Sequence, residues 1–199
     1  GVNAYRSTVL SGSAEGVAKT LLCLENVPNI PLGVQHGFHS PCTASVLPDY
    51  RLVLAKVSLR AASRIKFIST VTGAEVSQEL TDPEYWCKHI TGTVLYAPAS
   101  EFAWSAGARV FIEMGPESTL TKLCRTNVTL LPEFVKDSTQ WVSSTDIILV
   151  NNRSDMQKLL ANMLLKQSQA HATNTIVAPK PKRYRSSRRV HQLLQESRR

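Results

Sequence analysis

The sequence predicts an α/β fold, in which short strands alternate with helices. Two apolar, β-branched segments, at 64–72 and 109–114, are typical of strands. Each is closed by a glycine, and helix-start residues such as Asp82-Pro83-Glu84 follow the first of them. Alternation of this kind across residues 60–125 indicates a sheet layer covered by helices.

The predicted elements follow one another closely along the chain. Ser13 and Thr43 are expected N-caps, because a side-chain hydroxyl can accept hydrogen bonds from the free N–H groups of a first helical turn. The predicted strands lie at 5–11, 30–34, 64–72 and 109–114, and the predicted helices at 14–24, 44–58, 83–90, 98–106, 117–125 and 153–167. Apolar residues at helical spacing give the first two helices a core face, formed by Val17, Leu21 and Leu24 and by Val46, Leu47, Tyr50, Leu54 and Val57.

The net charge of +8 belongs to the C-terminal segment rather than to a folded surface. Residues 180–199 contain eight Lys and Arg residues and one acid, so they carry +7, while the rest of the chain carries only +1. Because Lys and Arg alone attract phosphate, one hypothesis is a tail that binds an anion or a nucleic acid. Tyr184 is its only aromatic residue and no groove-reading motif is present, so a solvated linker end is favoured over nucleic-acid binding.

Nothing in the composition indicates a membrane protein or a secreted one. No apolar run approaches the roughly 18–20 residues that a spanning helix needs, and Gly1 is followed by residues without a secretion-signal pattern. The four cysteines, Cys23, Cys42, Cys87 and Cys124, include no C-x-x-C pair. We therefore expect a fragment or processed piece of a cytoplasmic protein, with no membrane partner and with reduced thiols packed mostly in the core.

The strongest functional signal is the hexapeptide His36-Gly37-Phe38-His39-Ser40-Pro41. It places two histidines on a short turn after the predicted strand at 30–34, where an imidazole could act as a base. A metal site is not expected, because no Asp, Glu or Cys completes a ligand set at nearby spacing. Taken alone, a histidine after a strand is more often structural than catalytic. The chain contains no G-x-S-x-G elbow, so we interpret the turn as half of an active site.

Four segments carry a family resemblance. They are Val2-Asn3-Ala4 with Val9-Leu10-Ser11-Gly12, then His36 to Pro41, then 67–73 with Tyr85-Trp86 and Val94, and finally 111–116 with Leu120. In this order and at this spacing they resemble the C-terminal part of the acyltransferase domain of modular (type I) polyketide synthases, which is related to malonyl-CoA:acyl-carrier-protein transacylases. The likeness covers about residues 1–125, and residues 126–165 resemble the linker that follows such domains.

The resemblance implies a particular fold. It is an α/β-hydrolase-like acyltransferase core with a ferredoxin-like small subdomain inserted, of which this chain would hold the second half of the core and part of the small subdomain. The expected divisions are a partial ferredoxin-like subdomain at 1–35, the C-terminal half of the core at 36–125, a helical linker at 126–170, and a basic, disordered tail at 171–199.

The resemblance also implies the chemistry. The family moves a malonyl-type acyl group from coenzyme A to an acyl carrier protein through an acyl-serine, in polyketide or fatty acid synthesis. His39 matches the catalytic histidine, and His89 matches the position whose backbone carbonyl orients that imidazole. The side chain of His89 is expected to be solvated. The coenzyme A thioester is then a substrate, no bound cofactor is expected, and the partners are the acyl carrier protein and neighbouring synthase domains.

The nucleophilic serine precedes residue 1 in the family's order. The isolated chain is therefore expected to be inactive as a transferase. The alternative interpretation is a non-catalytic remnant or docking segment, with a basic tail that binds anions or nucleic acid.

His36, Gly37 and Phe38 match the family's substrate-selecting motif. In the family, a bulky residue at the place of Phe38 narrows the pocket and goes with malonyl, whereas serine goes with methylmalonyl. Gly37 stands where alanine is usual, which predicts a slightly roomier pocket. Among the other notable residues, we expect Trp86, Trp104 and Phe111 in the core, and Glu113 and Glu117 as helix-terminal or surface acids.

Overall fold

The structure is a computed structural model, and it describes residues 1–115, 117–134, 139–143 and 161. The predicted helix at 153–167, apart from Ala161, and the basic tail lie outside the described residues. Within them, no helix combines the length and the apolar character needed to cross a membrane.

Helices and strands are mixed along the described chain, as the α/β class predicts. The strands are β1 (Val2–Ala4), β2 (Ser7–Thr8), β3 (Phe67–Ser69), β4 (Ala74–Val76), β5 (Val110–Glu113) and β6 (Gln140–Ser143). The α-helices are α1 (Ala14–Leu22), α2 (Leu47–Leu54), α3 (Pro83–Thr91), α4 (Tyr96–Ser105) and α5 (Thr119–Thr129), with 3-10 helices at Pro41–Val46 and Gln78–Thr81.

The described strands pair two by two. β1 with β2 and β3 with β4 form antiparallel pairs, whereas β5 and β6 are parallel, with α5 as the connection between them. The β5-α5-β6 unit is thus the parallel α/β arrangement that the alternating pattern predicts.

The predicted strand at 30–34 is absent. Ile30 is 86% exposed and Leu32 and Val34 are each 58% exposed, so this apolar run is not buried among the described residues. Pro31, its second residue, has no N–H group to donate to a neighbouring strand. The run instead bends at Gly33, where the Val34 N–H donates to the carbonyl of Leu32 at 2.8 Å.

Two other predicted strands are shorter than expected, because the chain turns and pairs with a neighbouring segment. The predicted strand at 5–11 gives only β2, which pairs back on β1 across the turn at Tyr5-Arg6. The predicted strand at 64–72 gives only β3, because the chain turns at 70–73 and returns as β4. In the second turn Gly73 has a φ of +72°, a left-handed conformation that glycine adopts without steric cost.

The predicted helix at 44–58 is divided. A 3-10 turn at Pro41–Val46 precedes α2, and its N-cap is Ser40 rather than Thr43. Pro48 explains the division. In a continuous helix it has no N–H group to donate to the carbonyl four residues back, and its ring collides with that carbonyl. Of the predicted face, Leu54 is buried and Leu47 and Tyr50 are half-buried, while Val46 and Val57 are exposed.

Two predicted helix starts are confirmed. The Ser13 hydroxyl accepts from the Gly16 N–H at 3.1 Å and begins α1. The Asp82 carboxylate accepts from the Glu84 N–H at 2.9 Å and begins α3, with Pro83 in the first turn. The face of α1 at Val17 and Leu21 is only half-buried, so this helix packs loosely.

Two apolar clusters form the core. The first joins β4 to α3 through Val76, Leu80 and Tyr85, with Ala62, Val71 and Trp86 packed on it. The second joins α4 to α5 through Trp104, Cys124 and Val128, with Tyr96, Phe111, Leu131, Phe134 and Trp141 packed on it. The core positions of Trp86, Trp104 and Phe111 are thereby confirmed. Of the four thiols, Cys87 and Cys124 are buried, but Cys23 and Cys42 are exposed, so the expectation of core cysteines is wrong for half of them.

We predict that Gly73→Ala destabilises the hairpin that carries β3 and β4. A Cβ at Gly73 would lie 2.7 Å from the Cβ of Pro98, and the left-handed conformation itself costs a non-glycine residue about 1–2 kcal/mol. We expect the free energy of unfolding in urea to fall by at least this amount. Gly33→Ala is the matched control, because no described atom lies within 4 Å of the added Cβ. Equal effects of the two substitutions would contradict the prediction.

Candidate active site

The histidine turn holds its central residue in an unusual backbone conformation. His39 has a φ of +56°, and among the described residues it is the only non-glycine residue with a positive φ. Such a conformation costs free energy, and it persists only where the surrounding structure holds it in place. The side chains of His36, Phe38 and His39 are exposed on this turn, while Ser40 is buried.

Side-chain hydroxyls fix the turn from both sides. The Ser11 hydroxyl donates to the carbonyl of Phe38. The Ser40 hydroxyl donates to the carbonyl of Gly37 at 2.6 Å and accepts from the Cys42 N–H at 3.2 Å. The backbone on each side of His39 is therefore tied down by hydrogen bonds.

Gly37 is required by close packing of the main chain. A Cβ at this position would lie 2.9 Å from the carbonyl oxygen of Gly12. The space that an alanine methyl group would take is therefore already occupied by backbone. The glycine brings the turn close to residue 12, and it does not add the open volume that the sequence predicted.

Thr43 connects the histidine turn to helix α3. Its hydroxyl oxygen lies 2.9 Å from the carbonyl of Ser40 and 3.1 Å from the carbonyl of Ile90. Ser40 directly follows His39, and Ile90 directly follows His89. The structure thus brings together the two backbone segments that the family resemblance assigns to the catalytic base and its orienting group.

His89 is not solvated as expected. Its side chain is half-buried, and its Nε2 lies 3.1 Å from the hydroxyl oxygen of Tyr85. Its ring also stacks on Trp86, with the ring centroids 5.5 Å apart and the planes inclined by 21°. The expectation failed because Tyr85 and His89 are four residues apart, which places both on one face of α3 and turns the imidazole inward.

Burial and a neighbouring charge both act on His89. Burial lowers its pKa below the usual value for histidine, and the positive charge that His39 can carry lowers this pKa further. The two imidazoles are therefore close enough to interact electrostatically.

Tyr85 and Ser69 extend the site inward; both lie in a segment of family resemblance, but the sequence analysis gave neither a role. The Tyr85 hydroxyl donates to the Ser69 hydroxyl at 2.7 Å, and the Ser69 oxygen also accepts from the Val71 N–H at 3.0 Å. Ser69 is fully buried and Tyr85 is 4% exposed. The helical spacing of Tyr85 and His89 is the sequence signal for their contact. No such signal exists for the contact of Tyr85 with Ser69, because Ser69 lies on a distant strand.

The remaining acids near strand ends have structural roles. Glu113 caps α5, since its carboxylate accepts from the N–H groups of Leu120 at 3.0 Å and Thr121 at 2.8 Å. These bonds favour the ionised form and lower its pKa, against the opposing effect of burial. The expectation of a helix-terminal acid is thus confirmed for Glu113. No set of three His, Cys, Asp or Glu side chains in the described part of the chain is arranged to hold a metal ion.

The fold and the histidine turn together define an α/β protein of the acyltransferase type. The chain belongs to the acyl transferase domain family, whose profile matches residues 1–175. It is 38% identical over 127 residues to naringenin synthase of Pestalotiopsis fici, an alignment that covers 60% of this chain and 5% of that protein.

Solved acyltransferase structures share the fold. The acyltransferase domain from the second module of the salinomycin polyketide synthase is 30% identical, with a TM-score of 0.60, over 71% of this chain and 32% of that one. A loading acyltransferase from the avermectin modular polyketide synthase is 27% identical, with a TM-score of 0.60, over 81% of this chain and 49% of that one. The chain therefore spans a third to a half of these two solved acyltransferases, and a small part of the much longer naringenin synthase.

We predict that His39→Ala raises the pKa of His89. The substitution removes the charge that opposes protonation of His89, but burial remains, so the pKa should stay below the usual histidine value. An NMR titration of the His89 ring in the 199-residue chain measures this shift. His36→Ala is the control and should leave the pKa unchanged; an unchanged or lower pKa in His39→Ala would refute the electrostatic link.

Proposed function

We propose that this chain supplies the base of an acyltransferase site that moves a malonyl-type group from coenzyme A to an acyl carrier protein. The reaction would pass through an acyl-serine on a serine outside this sequence. The observation that carries the proposal is the docking of the strained His39 turn onto the last turn of α3 by Thr43. Membership of the acyl transferase domain family supports it.

His39 would act as the general base and then as the general acid. Its imidazole takes the proton of the serine hydroxyl while the oxygen attacks the thioester carbonyl. The tetrahedral adduct collapses, the carbon–sulfur bond breaks, and the coenzyme A sulfur leaves with the proton from His39. In the second half, the carrier-protein thiol gives its proton to His39 and attacks the acyl-serine ester. The serine oxygen then leaves with that proton, so protons balance over the cycle.

A backbone carbonyl is a sufficient orienting group for this imidazole. If the carbonyl of His89 accepts from the Nδ1–H of His39, the Nε2 atom of His39 is left with its lone pair free to take the serine proton. The Thr43 bridge supports this role, because it holds the main chain beside His39 against the main chain beside His89.

The residues before the base would shape the acyl pocket. The rings of His36 and Phe38 contact each other edge to face, with centroids 5.6 Å apart, and Phe38 is 51% exposed on the same turn as His39. A bulky phenyl ring beside the acyl group leaves little room for a substituent on the carbon next to the carbonyl. We therefore propose malonyl as the preferred acyl group and coenzyme A thioesters as substrates, without a bound cofactor.

The base can be tested in a complete domain. The chain would replace the matching segment of the salinomycin second-module acyltransferase, and transfer of labelled malonyl to an acyl carrier protein would be measured. We expect His39→Ala to lower the transfer rate by about 10²–10⁴-fold, the usual contribution of a general base. His191→Ala is the control, because it makes the same histidine-to-alanine change in the basic tail rather than at the proposed base.

The same assay addresses the isolated chain. The 199-residue chain alone should not become labelled by malonyl-CoA, because it contains no nucleophile elbow. Parental transfer by His39→Ala in a folded complete domain, or malonyl bound to a serine of the isolated chain, would overturn the proposal.

Substrate preference is tested at Phe38. We expect Phe38→Ser to shift the ratio of kcat/KM toward methylmalonyl-CoA by about tenfold, since one methyl group in an apolar pocket is worth roughly 10–200-fold. Phe38→Leu keeps a bulky apolar side chain and should retain the malonyl preference. Efficient methylmalonyl transfer by the parent domain would contradict the assignment.

A further inference from the structure

The inner face of α3 carries a continuous hydrogen-bonded chain of three side chains. Ser69 on β3 accepts from the Tyr85 hydroxyl at 2.7 Å, and the Tyr85 oxygen lies 3.1 Å from Nε2 of His89. Ser69 is fully buried, Tyr85 is buried, and His89 is half-buried. These hydrogen bonds connect buried Ser69, at the end of β3, to the last turn of α3. Thr43 links that turn to the His39 turn.

The direction of the first hydrogen bond settles the second. A tyrosine hydroxyl has one hydrogen, which is directed either to Ser69 or to His89. In the first arrangement, which is the one proposed here, the Tyr85 oxygen accepts from His89, and Nε2 of His89 carries the hydrogen. The neutral imidazole of His89 is then the Nε2–H tautomer, with Nδ1 unprotonated.

Stacking fixes the plane of the same imidazole. The His89 ring lies against Trp86, whose indole N–H donates to the carbonyl of Leu80 at 3.0 Å. With one nitrogen bonded to Tyr85 and one face on Trp86, the imidazole has little rotational freedom. A fixed side chain in turn fixes the rotation of the helix backbone from which it projects.

That backbone is the part of α3 which meets the His39 turn. The single hydroxyl hydrogen of Thr43 is shared between the carbonyl of Ile90, the residue after His89, and the carbonyl of Ser40, the residue after His39. A change in the rotation of the last turn of α3 would therefore be transmitted to the His39 backbone.

We propose that Ser69, Tyr85 and the imidazole of His89 are positioning residues for His39. This inference rests on the proposed function, in which the His89 carbonyl orients the base. It adds that the side chain of His89, locked as the Nε2–H tautomer through Tyr85, holds the carbonyl in place. Tyr85 and Ser69 do not contact substrate in this scheme; they act on the base through α3.

The first test is on the 199-residue chain itself, by NMR of the histidine ring nitrogens at a pH at which both imidazoles are neutral. We expect the parent to show the Nε2–H tautomer for His89 and the Nδ1–H tautomer for His39. In Tyr85→Phe and His89→Leu, His39 should become a mixture of tautomers. Unchanged ring-nitrogen shifts of His39 in both variants, or an Nδ1–H tautomer of His89 in the parent, would overturn the proposal.

A matched control separates positioning from general destabilisation. Tyr96→Phe makes the same substitution and also removes a tyrosine hydrogen bond, in this case from the Tyr96 hydroxyl to the carbonyl of Leu120 at 2.8 Å. Tyr96 lies on α4, away from the His39 turn, so this variant should leave the His39 tautomer as in the parent. A thermal melt shows that each variant is folded at the temperature of the measurement.

The second test is kinetic and uses the complete domain described above. Tyr85→Phe and His89→Leu should lower kcat for malonyl transfer about tenfold, the rate equivalent of one lost hydrogen bond, with KM for malonyl-CoA unchanged. His89→Gln retains an N–H that can donate to Tyr85 and should restore most of the rate. Tyr96→Phe should change neither constant.

The outcomes distinguish this inference from the proposed function. If His39→Ala is inactive but Tyr85→Phe and His89→Leu keep the parental kcat, the positioning role is wrong and the base assignment stands. If His39→Ala keeps the parental rate, the proposed function itself fails, whatever the other variants show. If KM and kcat fall together in Tyr85→Phe and His89→Leu, and Tyr96→Phe shows the same change, the effect is structural only. That result would also overturn the proposal.

Discussion

The hydrogen bonds of the Thr43 hydroxyl are the interaction on which the candidate site depends. They join the carbonyl after His39 to the carbonyl after His89, across 47 residues of sequence between Thr43 and Ile90. Without this bridge the histidine turn, between an exposed apolar segment and a 3-10 helix, would have no link to α3 through Thr43. With it, the turn has a fixed place on α3, and α3 is itself held by the buried cluster of Val76, Leu80 and Tyr85.

The free-energy cost of the His39 backbone conformation is small enough for a few hydrogen bonds to offset. A left-handed conformation costs a non-glycine residue about 1–2 kcal/mol. Each hydrogen bond contributes about 0.5–1.5 kcal/mol net, and the hydroxyls of Ser11, Ser40 and Thr43 all bond to backbone within the turn. The stabilisation by these hydrogen bonds exceeds the cost of the His39 conformation by a narrow margin. The main chain around His39 is therefore held in its conformation by several weak restraints acting together.

The sequence predicted the local features of the site and missed the distant ones. The N-caps at Ser13 and Asp82 were readable because a cap needs only residues within one turn. The absent strand at 30–34 and the division of the helix at 44–58 came from prolines, whose missing N–H groups outweighed the apolar pattern. The contact of Tyr85 with Ser69 joins a helix to a strand 16 residues away, and no spacing rule predicts it.

The second imidazole raises the question of which histidine takes the serine proton. Burial lowers the pKa of His89, and a positive charge on His39 lowers it further, so both effects favour the neutral form of His89. Its Nε2 atom also faces Tyr85 within the protein, whereas the imidazole of His39 is exposed on the turn. The exposed imidazole of His39 is therefore the better placed of the two for the proposed proton transfer with a serine outside this sequence. In the proposed scheme the His89 imidazole anchors α3 through its contact with Tyr85 and takes no part in the proton transfer.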